Sequence, residues 1–375
     1  MEMIVIRGLI DGGEISVHLL PSCADAEPLT RRGSFAELVS VSFSHFANGR
    51  CRDALFVRCI SEAIVVVRRR SSEVHSRAKV WTLFPCSPTV VLGAEILGFD
   101  GYIPPFANTS VSDIMKGVNY ASAASGILNE TGTHWGEHFS LKMQVENHKA
   151  IVSKITMKLR NSDKAKEHLN KCLYYVSIGS NDYINNYFLP EHYNSSQTFS
   201  TDQFAKALVK EYSRNLMELR SLGARKFALI GLLPIGCIPG EISARGKPGS
   251  LCVKEENDAV VTFNDELKSL VDRFNKEFPD SKFIFIDTVK AILTGTTKNV
   301  QDVKAGLVDV VSCCKVGSNG LCIPNEKPCK NRNVRPFFDS YHPSDFANEA
   351  NTAIAYNDVS TKAAYPMDIS HLVKL

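Results

Sequence analysis

Three short apolar runs, each separated from the next by a long amphipathic stretch, constrain this chain more than any other feature. Leu173–Ile178 (LYYVSI) is a continuous run closed by Gly179. Phe227–Leu233 (FALIGLL) is closed by Pro234 and Gly236, and Phe283–Ile286 (FIFI) follows Pro279 and Asp280. Runs this short, without polar alternation, suit strands buried on both faces of a parallel sheet. Between them, Asp202–Leu222 carries Phe204, Leu208, Tyr212, Leu216 and Leu219 at helical spacing. Glu256–Phe278 does the same with Val260, Phe263, Leu267, Leu270 and Phe274. A further helix is expected over Ser344–Tyr356, with an N-cap residue at its start. Strand, helix, strand, helix, strand reads as an α/β fold with a parallel sheet covered on both faces.

That pattern begins near Ala94. Residues 15–93 read differently: no amphipathic period or turn grammar carries through them, and Val65-Val66-Val67 runs straight into Arg68-Arg69-Arg70. This segment is expected to be atypical, solvated or poorly ordered. Its basic cluster (Arg68, Arg69, Arg70, Arg77, Lys79) has the composition of a nucleic-acid or nuclear-localisation patch. The net charge of +3 gives no wider support for that partner. No uninterrupted apolar stretch is long enough to span a bilayer. Met1–Ile10 is apolar but short, is interrupted by Arg7 and is followed by Asp11 and Glu14. It makes a poor signal-peptide core.

Eleven cysteines are many for a cytosolic enzyme, and none has the paired spacing of a zinc site. A disulfide framework in an oxidising compartment fits better. Cys237 and Cys252 bracket a loop containing Pro239, Gly240, Pro248 and Gly249, which suits a disulfide staple worth about 3 kcal/mol. Cys313, Cys314, Cys322 and Cys329 form a second cluster, where one bridge would tie down the loop ahead of Asp339. Asn108, Asn129 and Asn194 each begin a glycosylation sequon, which also points to secretion.

The acid–base chemistry rests on Asp339-Ser340-Tyr341-His342-Pro343. A carboxylate three residues before a histidine lets one loop hold an imidazole that accepts a nucleophile's proton. Asp368 and His371 repeat the spacing, in a tail expected to fray. Gly179-Ser180-Asn181-Asp182 follows a buried strand, at the edge where open α/β sheets meet ligands. An asparagine there can donate to a developing oxyanion, although the same residues also make an ordinary turn. Gly117 offers a bare backbone N–H for the same task, or is simply a glycine at a loop-to-strand junction.

Taken in order, several blocks resemble the plant GDSL esterase/lipase family of the SGNH-hydrolase superfamily. They are AEILGFDGYIPPFA at Ala94–Ala107, GVNYASAASGI at Gly117–Ile127 and YVSIGSNDYINNY at Tyr175–Tyr187. LGARKFALIGLLPIGCIP at Leu222–Pro239, CCKVGSNGLCIPNEKPCKNRN at Cys313–Asn333, FFDSYHPSDFAN at Phe337–Asn348 and YPMDISHL at Tyr365–Leu372 continue the series. The resemblance implies a three-layer α/β/α sandwich with a flavodoxin-like parallel sheet over residues 94–375. It implies ester hydrolysis by acyl transfer, with His342 as base, Asp339 as its orienter, and Gly117 and Asn181 as oxyanion donors. It implies a small ester or lipid substrate, a monomer, an extracellular or secretory location, and no cofactor or metal. Asp368 and His371 then become family-like tail sequence.

The serine expected in GDSLxDxGN is not found. The nearest match is Ile6–Glu14, where Leu9, Asp11 and Gly13 agree with the pattern, Arg7 replaces aspartate and Gly8 stands where serine belongs. Residues 1–14 are thus read as a degenerate first strand and nucleophile turn. Phe46–Arg50 echoes a family segment, and residues 51–93 read as foreign sequence. Two outcomes follow: an impaired ester hydrolase, or a non-catalytic relative that binds an acyl or glycan ligand in the retained pocket.

Overall fold

The computed structural model describes residues 15–17, 31–33, 61–68, 97, 99, 103–290, 311–331, 335–358 and 361–375. The chain divides into two compact units, Met1–Val57 and Arg58–Leu375. In the first, β1 (Ile15–Val17) pairs antiparallel with β2 (Arg31–Gly33).

The second unit is built on a sheet whose middle matches the sequence expectation. β6 (Cys172–Ser177), β7 (Lys226–Ile230) and β8 (Lys282–Ile286) are parallel neighbours. Of the helices, α1 (Leu141–Leu159) and α2 (Ser162–Asn170) precede β6. Then α3 (Thr201–Ser221) connects β6 to β7, and α5 (Lys254–Glu277) connects β7 to β8. Successive crossovers in one direction keep the same hand, so α3 and α5 cover the same face. The start of α3 is fixed by a capping box: Ser200 Oγ accepts from Gln203 N, and Gln203 Oε1 accepts from Ser200 N.

Strand residues alternate between two cores, as the pleat requires. Tyr174, Val176, Phe227, Leu229, Phe283 and Phe285 join the larger cluster with α1, α3 and α5. Leu173, Ala228, Ile230, Ile284 and Ile286 join the other, with Ala355 of α6 (Asp345–Tyr356) and with Ile369 and Leu372 of α7 (Ile369–Leu372). Helices therefore cover both faces, giving three layers. The parallel register sets Phe227 beside Phe283, and their rings stack at 4.4 Å.

Three expectations need correction. The stretch 15–93 is not unpatterned throughout, because Ser61–Arg68 forms β3. This strand lies between β4 (Gly117–Asn119) and β6, antiparallel to both, and also pairs with β5 (Ser122–Ala123). A β-branched Ile64–Val67 run favours a strand, and the arginines behind it conceal the signal. The sheet is accordingly mixed, with β9 (Ala364–Tyr365) antiparallel on β8 at the other side. The C-terminal tail does not fray: Ile369 and Leu372 are buried, and Asp368 caps α7. Finally, the second cysteine cluster forms two bridges, Cys313–Cys329 and Cys314–Cys322, beside the expected Cys237–Cys252. Cys23, Cys51, Cys59 and Cys86 lie outside the described residues.

Candidate active site

The loop 337–343 is closed on itself before it meets anything else. Phe338 N donates to His342 O at 2.8 Å, and Phe337 bridges Pro343. Asp339 is buried and takes three donors from its own loop. Its Oδ1 accepts from Tyr341 N and His342 N, each at 2.8 Å, and its Oδ2 accepts from His342 Nδ1 at 2.5 Å. A carboxylate can only accept, so Nδ1 carries the proton and Nε2 is left as a basic lone pair. Nε2 is buried and has no hydrogen-bond partner among the described residues. The spacing of three thus does what chemistry asks of it: one side chain fixes both backbone and tautomer.

Two glycines let neighbouring loops press against this one. Gly240 N donates to Ser340 O at 2.8 Å, and a Cβ at Gly240 would lie 2.5 Å from Tyr341 Cε1. Gly320, at φ 73°, accepts from Ser340 N at 3.0 Å, and a Cβ there would lie 2.6 Å from Tyr341 Cε2. Cys314 N donates to Phe338 O at 3.2 Å, so the paired disulfides anchor the same loop. Gly240 opens α4 (Pro239–Arg245), which ends in a buried charge cluster. Arg245 bonds Glu241, Phe188 O and, at 3.4 Å, Glu256. Burial pushes the Glu256 carboxyl up to about 9 and raises Glu241 as well. Two carboxyls facing one guanidinium cannot both ionise cheaply.

At the carboxyl end of β6, Gly179 leads into the turn that carries Asn181 and Asp182, both buried. Asn181 Nδ2 donates to Ser125 O at 2.9 Å, and its Oδ1 accepts from Asn185 Nδ2 at 2.6 Å. Asp182 reaches back across more than fifty residues of chain. It accepts from Ile127 N (2.7 Å), Leu128 N (3.0 Å) and Thr131 Oγ1 (2.7 Å). Burial pushes its carboxyl up to about 6, against the pull of these three bonds. Asp182 and Ser125 were not singled out by sequence reasoning. Both sit in motifs already quoted, but their partnership is long-range and leaves no local pattern.

The predicted residues do not all meet. Asn181 lies on the loop after β6, and Ser340, next to Asp339, bonds Gly240 on the loop after β7, so both groups sit at the carboxyl edge of the parallel strands. Gly117 does not. The register pairs Gly117 with Val67, and Val67 with Leu173 near the start of β6. At about 3.3 Å per residue, Ser177 is some 13 Å further along the strand. Gly117 instead lines a cleft with Ile114, His148 and Cys172 at the opposite edge. The matching text gave it an identity but not an end of the sheet. Gly8 lies outside the described residues. Asp368 and His371 reproduce the local geometry, with Nδ1 to Oδ1 at 2.7 Å. The His371 side chain, however, is 64% exposed against 14% for His342. Asp368 is also committed to capping α7. Among the described residues no group of three or more His, Cys, Asp or Glu is placed to hold a metal ion, and no helix is long and apolar enough to cross a membrane.

Comparison with known proteins agrees with this architecture. The family model described as GDSL-like lipase/acylhydrolase matches residues 89–353. The chain belongs to the GDSL lipase/acylhydrolase family. Its GDSL relatives include two Arabidopsis thaliana proteins, GDSL esterase/lipase At1g29670 and GDSL esterase/lipase At5g45670. The first is 42% identical over 292 residues, covering 76% of this chain and 79% of the relative. The second is 40% identical over 294 residues, covering 76% and 80%. GDSL membership places the chain among ester hydrolases, whose substrates are small esters.

Proposed function

We propose that this chain is a GDSL-family ester hydrolase of weakened turnover, acting on a small carboxylic, lipid or acetyl ester. His342 is the general base, Asp339 holds its imidazole, and Asn181 donates to the developing oxyanion. Gly117 takes no part in it, because β4 carries this residue at the other edge of the sheet. Gly8 stands at the position of the serine nucleophile. Without that hydroxyl the site retains only binding and oxyanion stabilisation, which leave a small fraction of triad catalysis. One observation carries the reading: His342 Nδ1 is committed to Asp339, while Nε2 is buried without a partner among the described residues.

An extracellular or secretory location accompanies this reading. Three disulfides among the described residues support it, as do the exposed Asn108, Asn129 and Asn194 of the sequons. The chain acts as a monomer.

Hydrolysis of p-nitrophenyl butyrate tests the proposal. Gly8→Ser should raise kcat/KM by roughly tenfold or more, and His342→Ala should abolish the gain. A folded Gly8→Ser protein without a gain overturns the register. Wild-type turnover that His342→Ala leaves intact overturns the base. Butyrate binding with no turnover in any variant favours the non-catalytic reading.

A further inference from the structure

We propose that Trp135 and Asn185 are positioning residues that set which way the Asn181 amide faces, an inference that rests on the oxyanion role given to Asn181 above. Three side chains form a line. Trp135 Nε1 donates to Asn185 Oδ1 at 3.0 Å. Asn185 Nδ2 donates to Asn181 Oδ1 at 2.6 Å. Asn181 Nδ2 donates to Ser125 O at 2.9 Å.

The order of these bonds matters more than their number. A primary amide has an oxygen and a nitrogen at nearly identical positions, so a half-turn about its terminal bond exchanges acceptor for donor. An asparagine placed for an oxyanion is useful in only one of the two orientations. The indole is different, because its N–H can donate and never accept. Trp135 therefore requires the oxygen of Asn185 on its side. That choice turns the Asn185 nitrogen towards Asn181, which in turn must present its oxygen. The Asn181 nitrogen is thereby held on the side of Ser125 O, itself an acceptor. A group that can act in only one sense thus gives direction to two groups that could each act in either.

The backbone supports the line. Asn185 sits in a wide turn, Tyr183–Tyr187, closed by Phe188 N donating to Tyr183 O at 2.9 Å. Its own φ and ψ, −108° and 23°, depart from the helical values around it. Asn185 O also accepts from Gly132 N at 3.3 Å, next to the short turn Thr133–Trp135. Asn186 Nδ2 donates to Thr131 Oγ1 at 3.0 Å, and Thr131 in turn bonds Asp182. The loop carrying Trp135 and the turn carrying Asn181 are thus clasped at several points, so the indole is delivered to Asn185 by the fold. Trp135 is 44% exposed, so burial of its ring is only partial. Its polar edge meets Asn185.

The test uses the full-length chain labelled with nitrogen-15. The sequence has two tryptophans, Trp81 and Trp135, so two indole N–H signals are expected, and Trp135→Phe assigns them. Asn185→Ala and Asn181→Ala should each shift the Trp135 signal and speed its exchange with solvent, although Asn181 does not bond the indole. Asn185→Asp keeps the acceptor for Trp135 and loses the donor to Asn181, so it should preserve the protected indole signal. In ester hydrolysis, Trp135→Phe should lower kcat roughly three- to tenfold with KM within about twofold, and Asn185→Asp should not rescue it. Asn181→Ala should cost about 100-fold or more. An indole signal unmoved by Asn185→Ala or by Asn181→Ala overturns the proposal, whether or not turnover is measurable. So does an unchanged kcat in Trp135→Phe when Asn181→Ala is severely impaired. If Asn181→Ala leaves kcat unchanged while the indole signal moves, the line of bonds stands and the oxyanion role of Asn181 fails.

Discussion

Replacing Asp182 by asparagine isolates one oxygen in one buried place. Asp182 Oδ1 accepts from both Leu128 N and Thr131 Oγ1, and Oδ2 accepts from Ile127 N alone. An asparagine that keeps its oxygen towards Leu128 and Thr131 must turn its NH2 against the Ile127 N–H. One buried donor loses its acceptor, at a cost of about 1–3 kcal/mol. A loss of about 2 kcal/mol is therefore expected at pH 7. The pH dependence carries a second signature. Burial raises the Asp182 carboxyl to about 6, above the ordinary 3.8, so the folded state holds this proton more tightly than the unfolded chain does. The stability contributed by that proton is fully present below the unfolded value and is lost as pH rises through about 6. Between pH 7 and pH 5 the wild-type chain should gain about 1 kcal/mol from this group, which asparagine cannot supply. The deficit of Asp182→Asn should then widen from about 2 kcal/mol at pH 7 to about 3 kcal/mol at pH 5. Urea unfolding followed by circular dichroism at both pH values measures it. A variant within about 0.5 kcal/mol of wild type at pH 7, or a deficit that narrows at pH 5, refutes the reasoning.

Two further outcomes follow from other parts of the molecule. Changing Cys237 and Cys252 together to serine opens a loop of 15 residues and should cost about 3 kcal/mol in urea unfolding, with wild type under reducing conditions moving towards the variant. Arg245→Met leaves the carboxylate charge of the buried Glu241–Glu256 pair without its cation and should cost about 3 kcal/mol near pH 8. Both carboxyls are raised by burial, so what they contribute is present at low pH and fades as pH rises, and the Arg245→Met deficit should shrink when unfolding is repeated at pH 5.

The centre of the fold was legible because its signals are local. Apolar runs at residues 173–178, 227–233 and 283–286 became β6, β7 and β8, and the two helices between them begin and end within about two residues of their expected bounds. β3 was hidden for a physical reason: its strand-forming valines abut a charged run, and only pairing with β4 and β6 decides between a strand and a solvated segment. The site divides along the same line. Asp339 and His342 share one loop, so their spacing encodes their contact. Asp182 finds its donors more than fifty residues upstream, and nothing near it in sequence says so. Gly117 shows the converse: a matched string carries a residue's identity, while the pairing of β4 with β3 decides which edge of the sheet receives it.

The antiparallel strand beside β6 has a consequence for the behaviour of the chain in solution. Ala63–Arg68 covers six consecutive residues of β6, from Ser177 back to Cys172. Peeled away, it would uncover a margin of unsatisfied peptide groups on a segment rich in leucine, tyrosine and valine, an adhesive border ready to recruit a strand from another molecule. Keeping that border covered then depends on the eight residues Ser61–Arg68 staying paired.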